Sequence, residues 1–280
     1  TIYKSGLDFF LIAYPRSGSS LLRLILNTHP DVCVPPEASF LTYFKDKYPG
    51  KLSVEEKSDL ARDIYTSRKF EHWGLEATPL LEEMERTDSI HYRDVATIPY
   101  RQYCTKKLKG DKNNVNWTHL EWLQSEFPDA LFLVLVRDPV AIYQSLRALG
   151  HLSNRKYAPS VPPDAKTFSR DFLSFASEIT NLTSKAREQV RLFDYSDLVR
   201  QPEKSTGEIA RFLGVEDEFD TDTFYRTETE PRDLLDWKTL TKMPIQKEKA
   251  LPPELPSGSS ESTNLQNARE RYLILSKMCK

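Results

Sequence analysis

Short apolar runs alternate along the chain with longer stretches of helical spacing. Asp8–Tyr14 (DFFLIAY) is a brief apolar run bounded by Gly6 and Pro15, which predicts a buried strand. Ser19–Thr28 follows without a breaker and carries Leu21, Leu22, Leu24 and Ile25, the spacing of a helix. Residues 53–110 read as helical, with charged faces in VEEKSDLARDIY and LLEEMER. Thr118–Phe127 is a short helix stopped by Pro128, and Leu131–Val136 (LFLVLV) is the strongest strand, continuous and apolar as a central parallel strand should be. A helix with proline in its first turn covers Pro139–Leu149, and 150–164 reads as a loop. Phe168–Glu188 is a long helix, Gln189–Phe193 a strand, and Pro202–Leu213 a helix closed by Gly214. From Asp217 to Ser262 the chain is polar and proline-rich, and Asn264–Met278 is a last amphipathic helix. Strands alternating with helices predict a three-layer α/β fold with a central parallel sheet, whose ligands bind where strands end in loops. The whole chain, 1–280, reads as one domain with a helical insertion at about 38–110 and a polar C-terminal segment at about 217–280.

Composition narrows the function. Net charge is −2 and mean hydropathy is −0.55, so neither a nucleic-acid partner nor a membrane protein is indicated. No run approaches the length of a membrane helix. The cysteines, Cys33, Cys104 and Cys279, are odd in number and lack metal-ligand spacing, which reads as reduced thiols and a cytoplasmic enzyme, with a removed leader or anchor left open.

The chemistry begins in AYPRSGSSLLRLILNTHP, from Ala13 to Pro30. Aligned on the nucleotide-binding pattern G-x-x-x-x-G-K-[ST], Ala13 stands at the first glycine and Ser19 at the lysine. A strand, a turn with Gly18, and free N–H groups at a helix start still make an anion cradle. The lysine that meets a γ-phosphate is gone. Arg16 offers a planar fork instead, and Ser17, Ser19 and Ser20 add hydroxyls and can cap the helix. A second element is VRDPVAIYQS, with Arg137 at the end of the strong strand and Ser145 eight residues on, inside the next helix. Alone, Arg137 reads equally well as an ion-pair partner. With the first loop, it gives two anion sites on one sheet edge, which suits a nucleotide charged at both ends.

These segments resemble the sulfotransferases that use 3'-phosphoadenosine-5'-phosphosulfate (PAPS) and release 3'-phosphoadenosine-5'-phosphate (PAP). PRSGSSLLRLILNTHPDV resembles the family's 5'-phosphosulfate loop, and VRDPVAIYQS its 3'-phosphate element. VRLFDYSDLVRQPEKSTGEIARFLG is similar to its Tyr-Glu-Asp-Leu segment, with Ser196 at the usual Glu, and would bring Tyr195 near the nucleotide. The resemblance implies a P-loop NTPase-like fold and transfer of a sulfuryl group to a hydroxyl acceptor (a carbohydrate, a tyrosine or other phenol, or a natural product). It implies no metal, and no metal-ligand cluster is visible. Motifs in HPDVCVPPEASF are similar to protein-tyrosine sulfotransferases and to bacterial and polyketide-associated sulfotransferases. They point to Glu37 as the general base, returning over the loop of Arg16 after one helix. Glu37 could otherwise be an acid favoured at a helix start. Lys112 in KGDKNNVNW matches the lysine that stabilises the leaving group, a role Arg16 could share, although Asn113-Asn114 departs from the pattern. Lys106, Lys107 and Lys109 read as a solvated face, His29 as structural, and His119 as a weak echo of a catalytic histidine. His151 could touch acceptor, and Lys238 could close over the 3'-phosphate. Phe40, Tyr43 and Phe44 read as core. A P-loop kinase and an inactive nucleotide-binding protein on the same fold are the rival readings; a homodimer stays open.

Overall fold

The computed structural model describes residues 6–152, 162–226, 244–247, 252–255 and 259–279. Five strands form one parallel sheet in the order β2-β3-β1-β4-β5. They are β1 (Phe9–Ala13), β2 (Val32–Cys33), β3 (Leu108–Asp111), β4 (Leu131–Val136) and β5 (Val190–Asp194). β1 pairs with β4 from Phe9 opposite Leu131 to Ala13 opposite Leu135, and β4 pairs with β5 from Phe132 opposite Val190 to Val136 opposite Asp194.

Helices follow the strands in chain order. α1 (Ser19–Thr28) follows β1; α2 (Phe40–Tyr43), α3 (Val54–Tyr65), α4 (Ala77–Arg86), α5 (Tyr92–Ala96) and α6 (Ile98–Tyr103) lie between β2 and β3. α7 (Leu120–Glu126) leads into β4, and α8 (Pro139–Leu152) and α9 (Ala165–Lys185) into β5. α10 (Tyr195–Arg200), α11 (Pro202–Leu213) and α12 (Ser259–Lys277) complete the chain.

Both faces of the central strands are buried, which is why they read as continuous apolar runs. Phe10, Ile12, Phe132, Val134 and Val136 belong to one core, with residues from α9, α12 and the insertion helices. Their neighbours Phe9, Leu11, Ala13, Leu133 and Leu135 belong to a second core with α1, α10 and α11. Helices on both faces of the sheet make the three layers. Among the described residues, no helix is long and apolar enough to cross a membrane.

α1, β4 and α11 have the predicted boundaries. Other predicted elements shift by a few residues at their ends, α8 running to Leu152 into the stretch expected as loop, and three elements were not foreseen. β2 and β3 were hidden, β3 inside a stretch read as helical, because LKGD is short and polar and alternation needs length to be seen. Gly110 belongs there for a tertiary reason: a Cβ at this position would lie 2.3 Å from the Phe9 ring of the neighbouring strand. α10, inside the segment that reads YSDLVR, was likewise missed.

The expectation of reduced cysteines is corrected. Cys33, at the end of β2, and Cys104, just before β3, form a disulfide with Cα atoms 5.7 Å apart. They are 71 residues apart in sequence, so spacing could not announce the bond; the pairing of β2 with β3 makes them neighbours. The odd count therefore carries no inference about a reducing compartment. Removing the pair by Cys33→Ser with Cys104→Ser should cost about 2–4 kcal/mol, as expected for a long closed loop. Urea denaturation should show this loss, and reductant should lower the parent protein to the same midpoint.

Candidate active site

Every strand of the sheet is followed at its carboxyl end by a candidate site residue, where an open parallel sheet binds ligands. The loop after β1 is the candidate anion cradle. Arg16 takes a left-handed backbone with φ 71°, and Gly18 does so with φ 94°. At Gly18 only glycine fits, because a Cβ would lie 2.4 Å from Cδ2 and Cε2 of the Tyr195 ring. Gly18 is also the N-cap of α1, and no side chain caps that helix. The proposed serine caps are thus corrected. Ser19 Oγ instead lies 3.5 Å from Asn114 Oδ1, and Ser17 Oγ is buried without a hydrogen-bond partner. Uncapped N–H groups and a buried hydroxyl are what an anion would satisfy.

The second predicted element meets the first directly. Arg16 Nε donates to Ser145 Oγ at 3.0 Å, and Arg137 Nη1 donates to the Arg16 carbonyl at 2.9 Å. The Arg137 guanidinium lies 4.2 Å from the centre of the Tyr195 ring, and its buried Nε has no hydrogen-bond partner. Burial lowers the pKa of both arginines, and Arg137 lowers that of Arg16 further. Two partly desolvated cations side by side are unfavourable until an anion joins them.

A third group gathers on the other side of the cradle. Glu37 Oε1 accepts the Asn114 backbone N–H at 3.0 Å. Glu37 Oε2 accepts from Lys69 Nζ at 3.2 Å and lies 3.6 Å from Lys112 Nζ. Burial lowers the Lys112 pKa, and Glu37 opposes the shift. Lys112 and Asn114 stand on a loop held by Asp111, the last residue of β3. The Asp111 carboxylate accepts from Tyr100 Oη at 2.7 Å, Asn113 Nδ2 at 2.7 Å and Asn116 Nδ2 at 2.6 Å. Burial raises the Asp111 pKa, and these three donors hold it down. The asparagines that departed from the expected motif thus build the loop. Asn113 also accepts from Ser39 Oγ at 3.3 Å, tying the loop to the segment after Glu37.

β4 and β5 are latched by the last helix. Arg269 of α12 donates Nη2 to Asp138 Oδ1 at 3.0 Å, beside Arg137. Tyr272 Oη and Ser276 Oγ donate to Asp194 Oδ2 at 2.8 Å and 2.7 Å, beside Tyr195.

Other candidates fall outside this constellation. His29 Nδ1 accepts the Asp31 N–H at 3.0 Å, and its Nε2 lies 2.9 Å from the Glu216 carbonyl, the structural role expected. His119 sits in a short 3-10 turn, its pKa lowered by burial and by Lys45. Lys106 is not a solvated side chain: its Nζ donates to the carbonyls of Asn27 and His29, each at 2.8 Å, at the C-terminal end of α1. Tyr43 is exposed rather than core, whereas Phe40 and Phe44 are buried. The His151 side chain and Lys238 lie outside the described residues. Sequence reading missed Lys69 and Asn114, since a lysine in SRKF and a second asparagine in a loop carry no signal of their own. It also missed the α12 latch, whose partners are distant in sequence.

A parallel sheet between two helical layers, with a glycine turn leading from β1 into α1, gives a P-loop NTPase-like α/β fold with a candidate anion site. Comparison with known proteins gives the family: the sulfotransferase family model matches residues 8–220, and the chain belongs to that family. The nodulation protein NoeE of Sinorhizobium fredii is 26% identical over 226 residues, covering 74% of this chain and 50% of NoeE, so the chain spans about half the length of that relative. The fold is shared with the sulfotransferase domain of the Synechococcus PCC 7002 olefin synthase, at TM-score 0.64, 22% identity and 96% coverage of both chains. It is shared too with the sulfotransferase domain from the curacin biosynthetic pathway, at TM-score 0.60 and 20% identity, covering 92% of this chain and 96% of that domain.

The Gly18 contact can be tested by comparing two glycines. Gly18→Ala should destabilise by about 2–4 kcal/mol, from backbone strain plus the clash with Tyr195. Gly214→Ala has φ 68° but open space around the added Cβ, so it should cost about 1–2 kcal/mol. Chemical denaturation of both variants measures the difference.

Proposed function

We propose that this protein is a PAPS-dependent sulfotransferase that moves a sulfuryl group to a hydroxyl acceptor by in-line displacement, with Glu37 as general base. The observation that carries the reading is a carboxylate, Glu37, joined through Asn114 to the anion loop and flanked by Lys112. The fit of a nucleotide charged at both ends rests on the buried Ser17 Oγ and Arg137 Nε, which have no hydrogen-bond partners, and on the uncapped start of α1. Arg16, Ser17, Gly18, Ser19 and Ser20 would hold the 5' end; Arg137 and Ser145 would hold the 3'-phosphate, with Tyr195 packed between the two elements.

Bound there, PAPS supplies an activated sulfuryl group on a phosphate leaving group. Glu37 takes the proton of the acceptor hydroxyl, and its hydrogen bond from the Asn114 N–H fixes the direction from which it does so. Lys112, buried beside Glu37, and Arg16 would offset the negative charge that grows on the leaving oxygen. Burial makes each of these interactions stronger than it would be in water. Acceptors in the range of this chemistry are carbohydrates, phenols including peptidyl tyrosine, and natural-product alcohols. The whole chain is proposed to act as one domain, with the insertion between β2 and β3 on the acceptor side.

Calorimetric titration with PAP in the absence of metal, beside ATP with magnesium, tests the donor. PAP should bind, and Arg137→Ala should weaken it by about ten- to a hundredfold, the loss of one or two charge-assisted hydrogen bonds. Binding of ATP with magnesium in place of PAP would overturn the proposal in favour of a kinase. For the base, Glu37→Gln should reduce kcat by about 10²–10⁴ on the best acceptor of an alcohol and phenol panel, with PAP affinity retained. Undiminished turnover would remove Glu37 from the mechanism.

A further inference from the structure

The insertion between β2 and β3 reaches the reaction centre through one residue whose backbone is strained to put it there. Lys69 has φ 72°, and it and Arg16 are the described non-glycine residues with positive φ. A left-handed lysine costs about 1–2 kcal/mol, so the surrounding structure must hold it. That structure is the 3-10 turn Phe70–Trp73, which Lys69 precedes. Phe70 and Trp73 are buried with stacked rings 5.4 Å apart, and Trp73 Nε1 donates to the Pro36 carbonyl at 2.9 Å. The turn therefore grips two successive residues: Pro36 by its backbone, and Glu37 by the Lys69 ammonium at 3.2 Å.

We propose that Lys69 is a positioning residue of this site, holding Glu37 as an ionised and oriented carboxylate. This rests on the reading of Glu37 as the base. Charged groups act on Glu37 from several elements. Lys112 comes from the loop after β3 and Lys69 from the insertion, both in contact with Oε2. Arg23 of α1 and Asp111 of β3 interact with it through space. Lys112 is 3% exposed and fixed by the β3 loop, whereas the Lys69 side chain is 31% exposed and faces less competition from burial. With its two oxygens divided between the Asn114 N–H and the two ammonium groups, the carboxylate is fixed in rotation and favoured as the anion. The pair is only partly exposed, so it is worth more than a surface ion pair of a few tenths of a kcal/mol. The anchoring of Lys69 beside Pro36 is what an oriented base requires.

The test does not need the acceptor. The Glu37 carboxyl is followed by ¹³C NMR against pH, assigned by its loss in Glu37→Gln, in the parent protein and in Lys69→Met, Lys69→Gly and Lys69→Arg. Removing the cation in the Met and Gly variants should raise the Glu37 titration midpoint by about one pH unit or more, while Lys69→Arg should leave it near the parent value. The acidic limb of kcat/KM, on an acceptor from the panel, should move the same way. Lys69→Gly adopts the left-handed backbone without strain, so it carries the test if Lys69→Met unfolds. An unchanged midpoint in a folded Lys69→Gly would overturn the proposal. Failure of the parent protein to bind PAP would instead strike the donor assignment, and the Glu37 titration would still decide what Lys69 does.

Discussion

The site depends on the parallel pairing of β3 between β2 and β1. That pairing is made by a strand of low apolar content, held by Gly110 against Phe9 and by the Leu108–Val32 register. It sets the Asp111 carboxylate at the sheet edge, where three donors turn the chain into the loop of Lys112 and Asn114. It also brings the end of β2, and with it Glu37, over the same edge, and closes the disulfide between Cys33 and Cys104. This pairing is what puts a carboxylate and a lysine beside the loop after β1.

Charge is distributed in two unlike groups around the loop. On one side Arg16 and Arg137 are partly buried and close together, and Arg137 Nε is buried without a hydrogen-bond partner. On the other side Glu37 is already surrounded by donors, and its cations are already paired. In the proposed mechanism the first group would bind the donor and the second would be a preorganised reacting group, whose partners need not move when charge develops. Ser19 and Asn114 connect the two at 3.5 Å, a contact between side chains that ties the Glu37 side to the loop after β1.

Rigidity comes from outside the motifs. α12 fastens the two strand ends that carry Arg137 and Tyr195, through Arg269 on Asp138 and through Tyr272 and Ser276 on Asp194. Each aspartate also takes a backbone N–H of the helix that follows it, Val140 in one case and Ser196 in the other. Residues far along the chain thus orient Arg137 and Tyr195 by holding their immediate neighbours.

The geometry of the loop after β1 was legible in the sequence because it is local: strand, glycine turn and helix occupy one stretch, and Arg137 and Ser145 share one strand-helix unit. The fold class was legible for the same reason, since strands buried on both faces declare themselves as continuous apolar runs. Glu37 and Lys112 could be named from motif resemblance, but their meeting could not be derived from spacing. Lys69, Asn114, the disulfide and the α12 latch were invisible, because each joins segments whose distance along the chain carries no periodic signal. Local hydrophobic pattern and turn chemistry determined which elements form. Only the tertiary structure decided which charges stand together, because that depends on strand order and on where buried donors such as Tyr100 and Trp73 find their acceptors.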